Sequence, residues 1–311
     1  MQSPLTDESA VAIRRVHAVV NPASGGVGPG AADELSALFA ELGLAHRVSE
    51  LTSDTSDAMV RAAIDAGPDL VVVLGGDGTA RLVAEMCGPH GPLVAPLSGG
   101  TMNKLGRALY GSTPWREALI GALEGRQLRW IPGGEVGGRA FFCGALIGSP
   151  ALMARAREAI RAHELGRAWR RAVVASRKTF QSRLSYELQG DVGRGVAISF
   201  ICPTVSRAPG EGGAALRAAV LDPPEGEVSG AAAVRWALRH LIGDWRHNPD
   251  ASMPCLSGRA WARTAIPIML DGEFFRLGRE VEVRFRPRAF RALAPSADEG
   301  AGSGFRRATC G

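Results

Sequence analysis

The stretch Val71-Val72-Val73-Leu74-Gly75-Gly76-Asp77-Gly78-Thr79 decides how this chain reads. A short, continuous apolar run ending in a glycine turn has the make-up of a strand buried in a parallel sheet. A helical segment over 80–86 follows at once. Glycines let the backbone approach a phosphate closely, and the free N–H groups at a helix start favour an anion. Thr79 is placed to cap that helix or to bond a phosphate oxygen. Asp77 is the unusual member, because a carboxylate repels phosphate unless a cation stands between them. It reads as a ligand of Mg²⁺ or its water, or as an orienting group in the loop. The plainer reading is a tight strand-to-helix turn with Asp77 as polar filler.

Two more loops of the same kind lie on either side. A strand-like segment at 16–20 runs into Asn21-Pro22-Ala23-Ser24-Gly25, and an apolar piece at 93–97 precedes Gly99-Gly100-Thr101-Met102-Asn103. Between them, Leu35, Leu38, Phe39 and Leu42 have the spacing of one helix face over 31–44, and residues 56–65 read as a second helix. Strands alternating with helices predict a doubly wound α/β domain, whose ligand site lies at the carboxyl edge of the sheet. Beyond Trp130 the alternation stops. Strand-like pieces at 140–147, 184–188, 196–202, 265–270 and 281–285 predict a second, mainly antiparallel domain. Residues 1–10 read as a loose polar tail, and those from about 298 as frayed.

Composition bounds the function. At 311 residues the chain has room for two domains, and 46% apolar with 22% charged residues is ordinary for a globular protein. No apolar run approaches a spanning helix, and the first residues carry no basic-then-apolar leader, so a cytoplasmic protein is expected. Five scattered cysteines without a CxxC spacing fit reduced core residues better than disulfides or a zinc site. HExxH, GxSxG and the Walker pattern are absent, and Pro29 interrupts the would-be GxGxxG. The net charge of +5 is compatible with phosphates or an anionic membrane. Nucleic acid is not expected, since no recognition motif or aromatic platform accompanies the arginines.

These loops, in this order and followed far downstream by Leu270-Asp271-Gly272-Glu273, resemble the diacylglycerol kinase catalytic-domain family, which includes sphingosine and ceramide kinases. The similarity covers roughly residues 15–295. It implies a two-lobed kinase: a doubly wound α/β lobe like that of NAD kinases, a β-sandwich-like second lobe, and an active site in the cleft. The implied boundaries are 11–132, joined by a returning segment at about 288–311, and 133–287. The final strand is expected to return to the first lobe at about 288–295. By resemblance Asn21, Pro22, Ala23, Ser24, Gly25, Thr52, Gly75, Gly76, Gly78, Thr79, Thr101, Asn103 and Lys104 line the ATP site. Asp77 and Asp271 are the implied Mg²⁺ ligands, and Glu273 the implied general base on a lipid hydroxyl, with Asp271 either positioning or assisting the metal. Read on its own, LDGE is also an ordinary hairpin signal.

The chain departs from that pattern in places. The family's Asn-Glu after GGDGT-x is Arg81-Leu82 here, and the Asp usual after GTxN is Lys104. Lys104 either binds a phosphate directly, in place of a metal-mediated contact, or marks a subgroup with another acceptor. The second-lobe Asp-Gly element linked to a structural Mg²⁺ is poorly matched near 221–226, so that metal is not expected. Residues 151–184 carry nine basic side chains against two acidic ones, interleaved with apolar residues and Trp169. Such a stretch suits either an anionic membrane surface holding the lipid substrate or a solvated arginine face. Trp236, Leu238, Leu241, Ile242 and Trp245 suit core packing, or else a lipid-tail channel. The leading function is an ATP-dependent lipid kinase of the diacylglycerol type, peripheral to the inner face of the membrane. An NAD kinase-like enzyme and an inactive nucleotide- or lipid-binding relative are the alternatives.

Overall fold

The computed structural model of the protein describes residues 6–7, 11–52, 56–152, 183–206, 214–221 and 252–296. The chain divides into two compact units, residues 1–131 with 288–311, and residues 132–287.

The first unit holds β1 (Thr6–Asp7), β2 (Arg15–Val20), α1 (Ala31–Glu41), β3 (Ala45–Glu50), α2 (Ser56–Asp65), β4 (Leu70–Gly75), α3 (Asp77–Cys87), β5 (Leu93–Ser98), α4 (Lys104–Tyr110) and α5 (Trp115–Gly125). β2 pairs in parallel with β3 on one side and β4 on the other, and β4 pairs in parallel with β5. Every residue of β4 is buried, as its unbroken apolar sequence requires. β3, at the edge, is mostly half-exposed, and its mixed sequence carries no strand signal of its own. The chain leaves β2 toward β3 and then returns to β4 on the far side of β2. The strand order therefore reverses between β2 and β4, the point where doubly wound sheets bind ligands at their carboxyl ends.

α1 buries Ala31, Leu35, Leu38 and Phe39, the face its periodicity predicts. Burial contributes about 1.5–3 kcal/mol for each large side chain. Leu42 departs from that reading. The helix stops at Glu41 because Gly43 takes φ 66°, and Leu42 is left 43% exposed. The polar tail also departs, since β1 pairs Thr6 with Arg129 of β6 (Gln127–Val136), which continues past residue 131.

The second unit contains β7 (Arg139–Phe141), β8 (Gly144–Gly148), β9 (Leu184–Leu188), β10 (Asp191–Gly195), β11 (Ala197–Ile201), β12 (Leu216–Leu221), β13 (Met253–Cys255), β14 (Ser257–Trp261), β15 (Pro267–Leu270) and β16 (Glu273–Arg276). One sheet runs β13-β12-β11-β8-β15-β16 with every pair antiparallel. A second set joins β10, β9, β14 and the first half of β17 (Glu280–Ala294), again antiparallel. The mainly antiparallel character expected beyond Trp130 is therefore present.

Two strand boundaries differ from the sequence reading. The run at 140–147 breaks into β7 and β8 because the amides of residues 142–144 turn to the Asp271 carboxylate instead of a neighbouring strand. The pieces at 281–285 and 288–295 form one strand, β17, whose end pairs Ala292 with Val94 of β5 in parallel. The basic stretch lies outside the described residues except at 151–152 and 183–184, as do 222–226 and the Trp236–Trp245 segment. Among the described residues no helix is long and apolar enough to cross a membrane.

Candidate functional site

Parallel pairing of β2, β4 and β5 brings the three glycine-bearing loops to one edge of the first unit, and a network of short bonds welds them together. The Asn21 side-chain amide donates to Thr79 Oγ1 at 2.8 Å, and its Oδ1 accepts the Ala23 N–H at 3.1 Å. Ser24 Oγ accepts the Gly76 N–H at 3.1 Å. The Gly26 N–H donates to the Gly99 carbonyl, and the Gly99 N–H to the Gly75 carbonyl, each at 2.9 Å. The loop after β5 is closed on itself by Asn103, whose Oδ1 accepts the Gly100 N–H at 2.6 Å while its Nδ2 donates to the Gly100 carbonyl at 2.7 Å.

Such approaches leave no room for side chains. A Cβ added at Gly100 would lie 2.6 Å from the Gly76 Cα, and one at Gly99 2.8 Å from the Gly75 N. Gly26, Gly99 and Gly100 therefore belong to the site; the sequence places Gly99 and Gly100 in the loop after the third strand, while the resemblance implies only their neighbours as ATP contacts. The signal was available in the paired glycines at 25–26 and 99–100.

α3 begins at Asp77, with Gly76 as its cap residue and no side-chain cap. Thr79 thus lies within the first turn, and its hydroxyl receives Asn21 rather than capping the helix. Asp77 instead reaches across to α4. Its Oδ1 accepts the Leu105 N–H at 3.2 Å, and burial pushes its carboxyl above the ordinary value despite that bond and the nearby cations of Lys104 and Arg107. The outcome shows desolvation outweighing the favourable charges. Arg81, 4% exposed, pairs with Glu85 at 2.5 Å one helical turn on, so this departure residue is engaged along its own helix. Pro22, Ala23, Gly25 and Thr101 are exposed at the loop tips. Thr52 follows β3 at the same edge of the sheet; it is exposed, and its carbonyl accepts the Ser56 hydroxyl.

In the second unit the LDGE motif forms the β15–β16 hairpin, with Leu270 opposite Glu273. Asp271 and Gly272 take φ 49° and 99°, the pair of positive values that a two-residue type I′ turn demands. Glu273 opens β16, half-buried. Asp271 turns inward onto the backbone amides of Phe142, Cys143 and Gly144.

Among the described residues no three His, Cys, Asp or Glu side chains gather to hold a metal. Mg²⁺ seldom needs such a cage, since one or two carboxylates with substrate phosphates and waters suffice. Asp77 fits that role, because a carboxylate keeps lone pairs beyond those that accept the Leu105 and Lys104 amides, and it stands at the start of α3. Asp271 fits less well, since its carboxylate already accepts three backbone amides.

Residues 15–131 match the diacylglycerol kinase catalytic domain. A diacylglycerol kinase from Bacillus anthracis strain Sterne superposes with a TM-score of 0.62 at 17% identity, over 93% of this chain and 99% of the other. An NAD kinase from Archaeoglobus fulgidus, solved with ATP, superposes with a TM-score of 0.52 at 11% identity, over 90% and 94%. Those likenesses show a shared fold. No curated protein matches the chain.

Proposed function

We propose that the protein is an ATP-dependent lipid kinase acting on the hydroxyl of diacylglycerol or a related lipid. The observation carrying this reading is the welded cradle of Asn21–Gly26, Gly75–Thr79 and Gly99–Asn103 at the point where strand order reverses. Backbone N–H groups and the start of α3 receive the nucleotide phosphates there, as helix starts receive anions generally. Lys104, at the first position of α4, adds positive charge beside them.

In the reaction, the lipid hydroxyl oxygen forms a bond to the γ-phosphorus while the bond to the departing ADP oxygen breaks. Glu273 takes the hydroxyl proton as general base. Asp77, with the phosphates, would hold Mg²⁺, which when bound neutralises charge on the transferring group. Catalysis of this kind is chiefly positioning and charge stabilisation, which suits a site built from rigid loops. Docking of the basic 151–184 stretch on an anionic bilayer would bring the enzyme to its substrate.

The chain superposes on an NAD kinase as well as on a diacylglycerol kinase, so the acceptor is what separates the two readings. The LDGE hairpin and the arginine-rich second unit favour a lipid. Incubation with γ-labelled ATP and Mg²⁺, followed by organic extraction, tests this. Label is expected in the lipid phase; label on a dinucleotide and none in lipid would overturn it. ATP binding with no transfer to any acceptor would instead favour a binding-only relative.

A further inference from the structure

The Asp271 carboxylate sits on three successive backbone amides. Its Oδ2 accepts the Phe142 N–H at 2.7 Å, and its Oδ1 accepts those of Cys143 and Gly144, each at 2.8 Å. Consecutive N–H groups converging on one anion form a nest, a preorganised seat for negative charge. Here the chain supplies the anion itself. Phe142 and Cys143 are buried, 1% and 3% exposed, while Gly144 and Asp271 are half-buried. The carbonyl side of the same loop is also held: the Cys202 N–H donates to the Cys143 carbonyl at 3.0 Å, and the Cys202 thiol to the Phe141 carbonyl at 3.6 Å. Residues 144 and 271 are joined in both directions, since the Asp271 N–H donates to the Gly144 carbonyl at 2.9 Å.

We propose that Asp271 is a positioning residue that seats the β7–β8 loop and fixes where β16 begins, and with it the carboxylate of Glu273, rather than a metal ligand or proton acceptor. This rests on the reading of Glu273 as the base. Three of the roughly four acceptor sites of the Asp271 carboxylate are held by these amides, so rotating it toward a cation would strand the buried Phe142 and Cys143 N–H groups, and unpaired buried donors are costly. The seat also explains the interruption of β7 and β8, because the amides that would continue the strand are given to the carboxylate. Leu270, fully buried beside it, and Glu273, its partner across the turn, hold the hairpin in that register.

Asp271→Ala empties the seat and leaves space for a one-carbon carboxylate, so sodium formate is the probe. The variant is expected to melt below wild type. Formate should raise its midpoint more than chloride at equal ionic strength, while wild type and Glu273→Ala do not respond. Lipid phosphorylation should return in step, through kcat, with the Mg²⁺ concentration for half-maximal activity unchanged. An unaltered midpoint, no response to formate, or a Mg²⁺ requirement raised about tenfold or more, as loss of a metal-site group would cause, overturns the proposal.

If Asp271→Ala does not fold, Asp271→Asn carries the test. It keeps one oxygen for Cys143 and Gly144 but turns an amide group toward the Phe142 N–H, so a lowered midpoint with unchanged Mg²⁺ requirement is expected, and the reverse overturns the proposal. Melting needs no turnover. Wild type that transfers no phosphate would defeat the kinase reading alone, and the formate response would still decide the seat.

Discussion

The Asn21 side-chain amide donates to the Thr79 hydroxyl at 2.8 Å, tying the loop after β2 to the first turn of α3 across 58 residues of chain. The bond closes the cradle at the reversal point of the sheet. Neither residue is a catalyst; each holds the other's loop where its N–H groups can meet a phosphate.

That bond should be visible as coupling. Asn21→Ala and Thr79→Val are each expected to weaken ATP binding, and the double variant to be little worse than either single one. The interaction energy in such a cycle should be about 1 kcal/mol, the usual net value of one hydrogen bond. Calorimetric titration with ATP measures it, and strictly additive losses would mean the two loops act separately.

Gly100→Ala should damage the site more than the fold. The new methyl would stand 2.6 Å from the Gly76 Cα, so the loops after β4 and β5 must separate. Overpacking of this kind costs about 1–3 kcal/mol. The sheet itself is untouched, so circular dichroism should remain that of the wild type while ATP binding is lost. Retained binding would show that the loops move apart in the bound state.

Asp77→Asn should separate stability from activity. Burial raises the carboxyl above its ordinary value, so at neutral pH the ionised side chain is a burden on the folded state. Asparagine keeps an oxygen for the Leu105 N–H and removes the charge. The variant is expected to melt no lower than wild type at pH 7 yet to lose phosphoryl transfer. A lower melting point with intact transfer would assign Asp77 a structural role only.

His17 gives the fold a pH dependence of known sign. Its ring nitrogen Nε2 shares a hydrogen bond with Ser49 Oγ at 2.9 Å, and burial, helped by Arg47, lowers its pKa from 6.5. The unfolded chain therefore takes up a proton near that value, which the folded chain still refuses. The contribution is fully present above 6.5 and is lost as pH falls from there through the folded value. Thermal midpoints measured down a pH series should decline in that window for wild type and decline less for His17→Gln. Equal slopes would place the titration elsewhere.

Much of this arrangement was legible because it rests on short local patterns. The run from Val71 to Leu74 could only be a central strand, and three glycine loops after three strands implied one shared edge. β3 was not legible, because an edge strand reading Ala45-His46-Arg47-Val48-Ser49-Glu50 has neither an apolar run nor clean alternation. The break between β7 and β8 was hidden for a different reason: its cause, Asp271, lies 127 residues from Gly144. The Asp77 contact with the Leu105 amide escaped notice similarly, since a backbone donor leaves no mark in the sequence. The capping role open to Thr79 falls away because the helix starts three residues earlier than its apolar pattern suggests, with Gly76 as its cap residue.

The most direct measurement is transfer of labelled phosphate from ATP, with Mg²⁺, to diacylglycerol, ceramide, sphingosine and monoacylglycerol in mixed micelles. Asp77→Ala and Glu273→Ala would run beside wild type. Label in one of these lipids that both substitutions abolish is the expected result. No label in any lipid while ATP still binds, or label that survives both substitutions, would contradict the assignment of the cradle and of Glu273 to lipid phosphorylation.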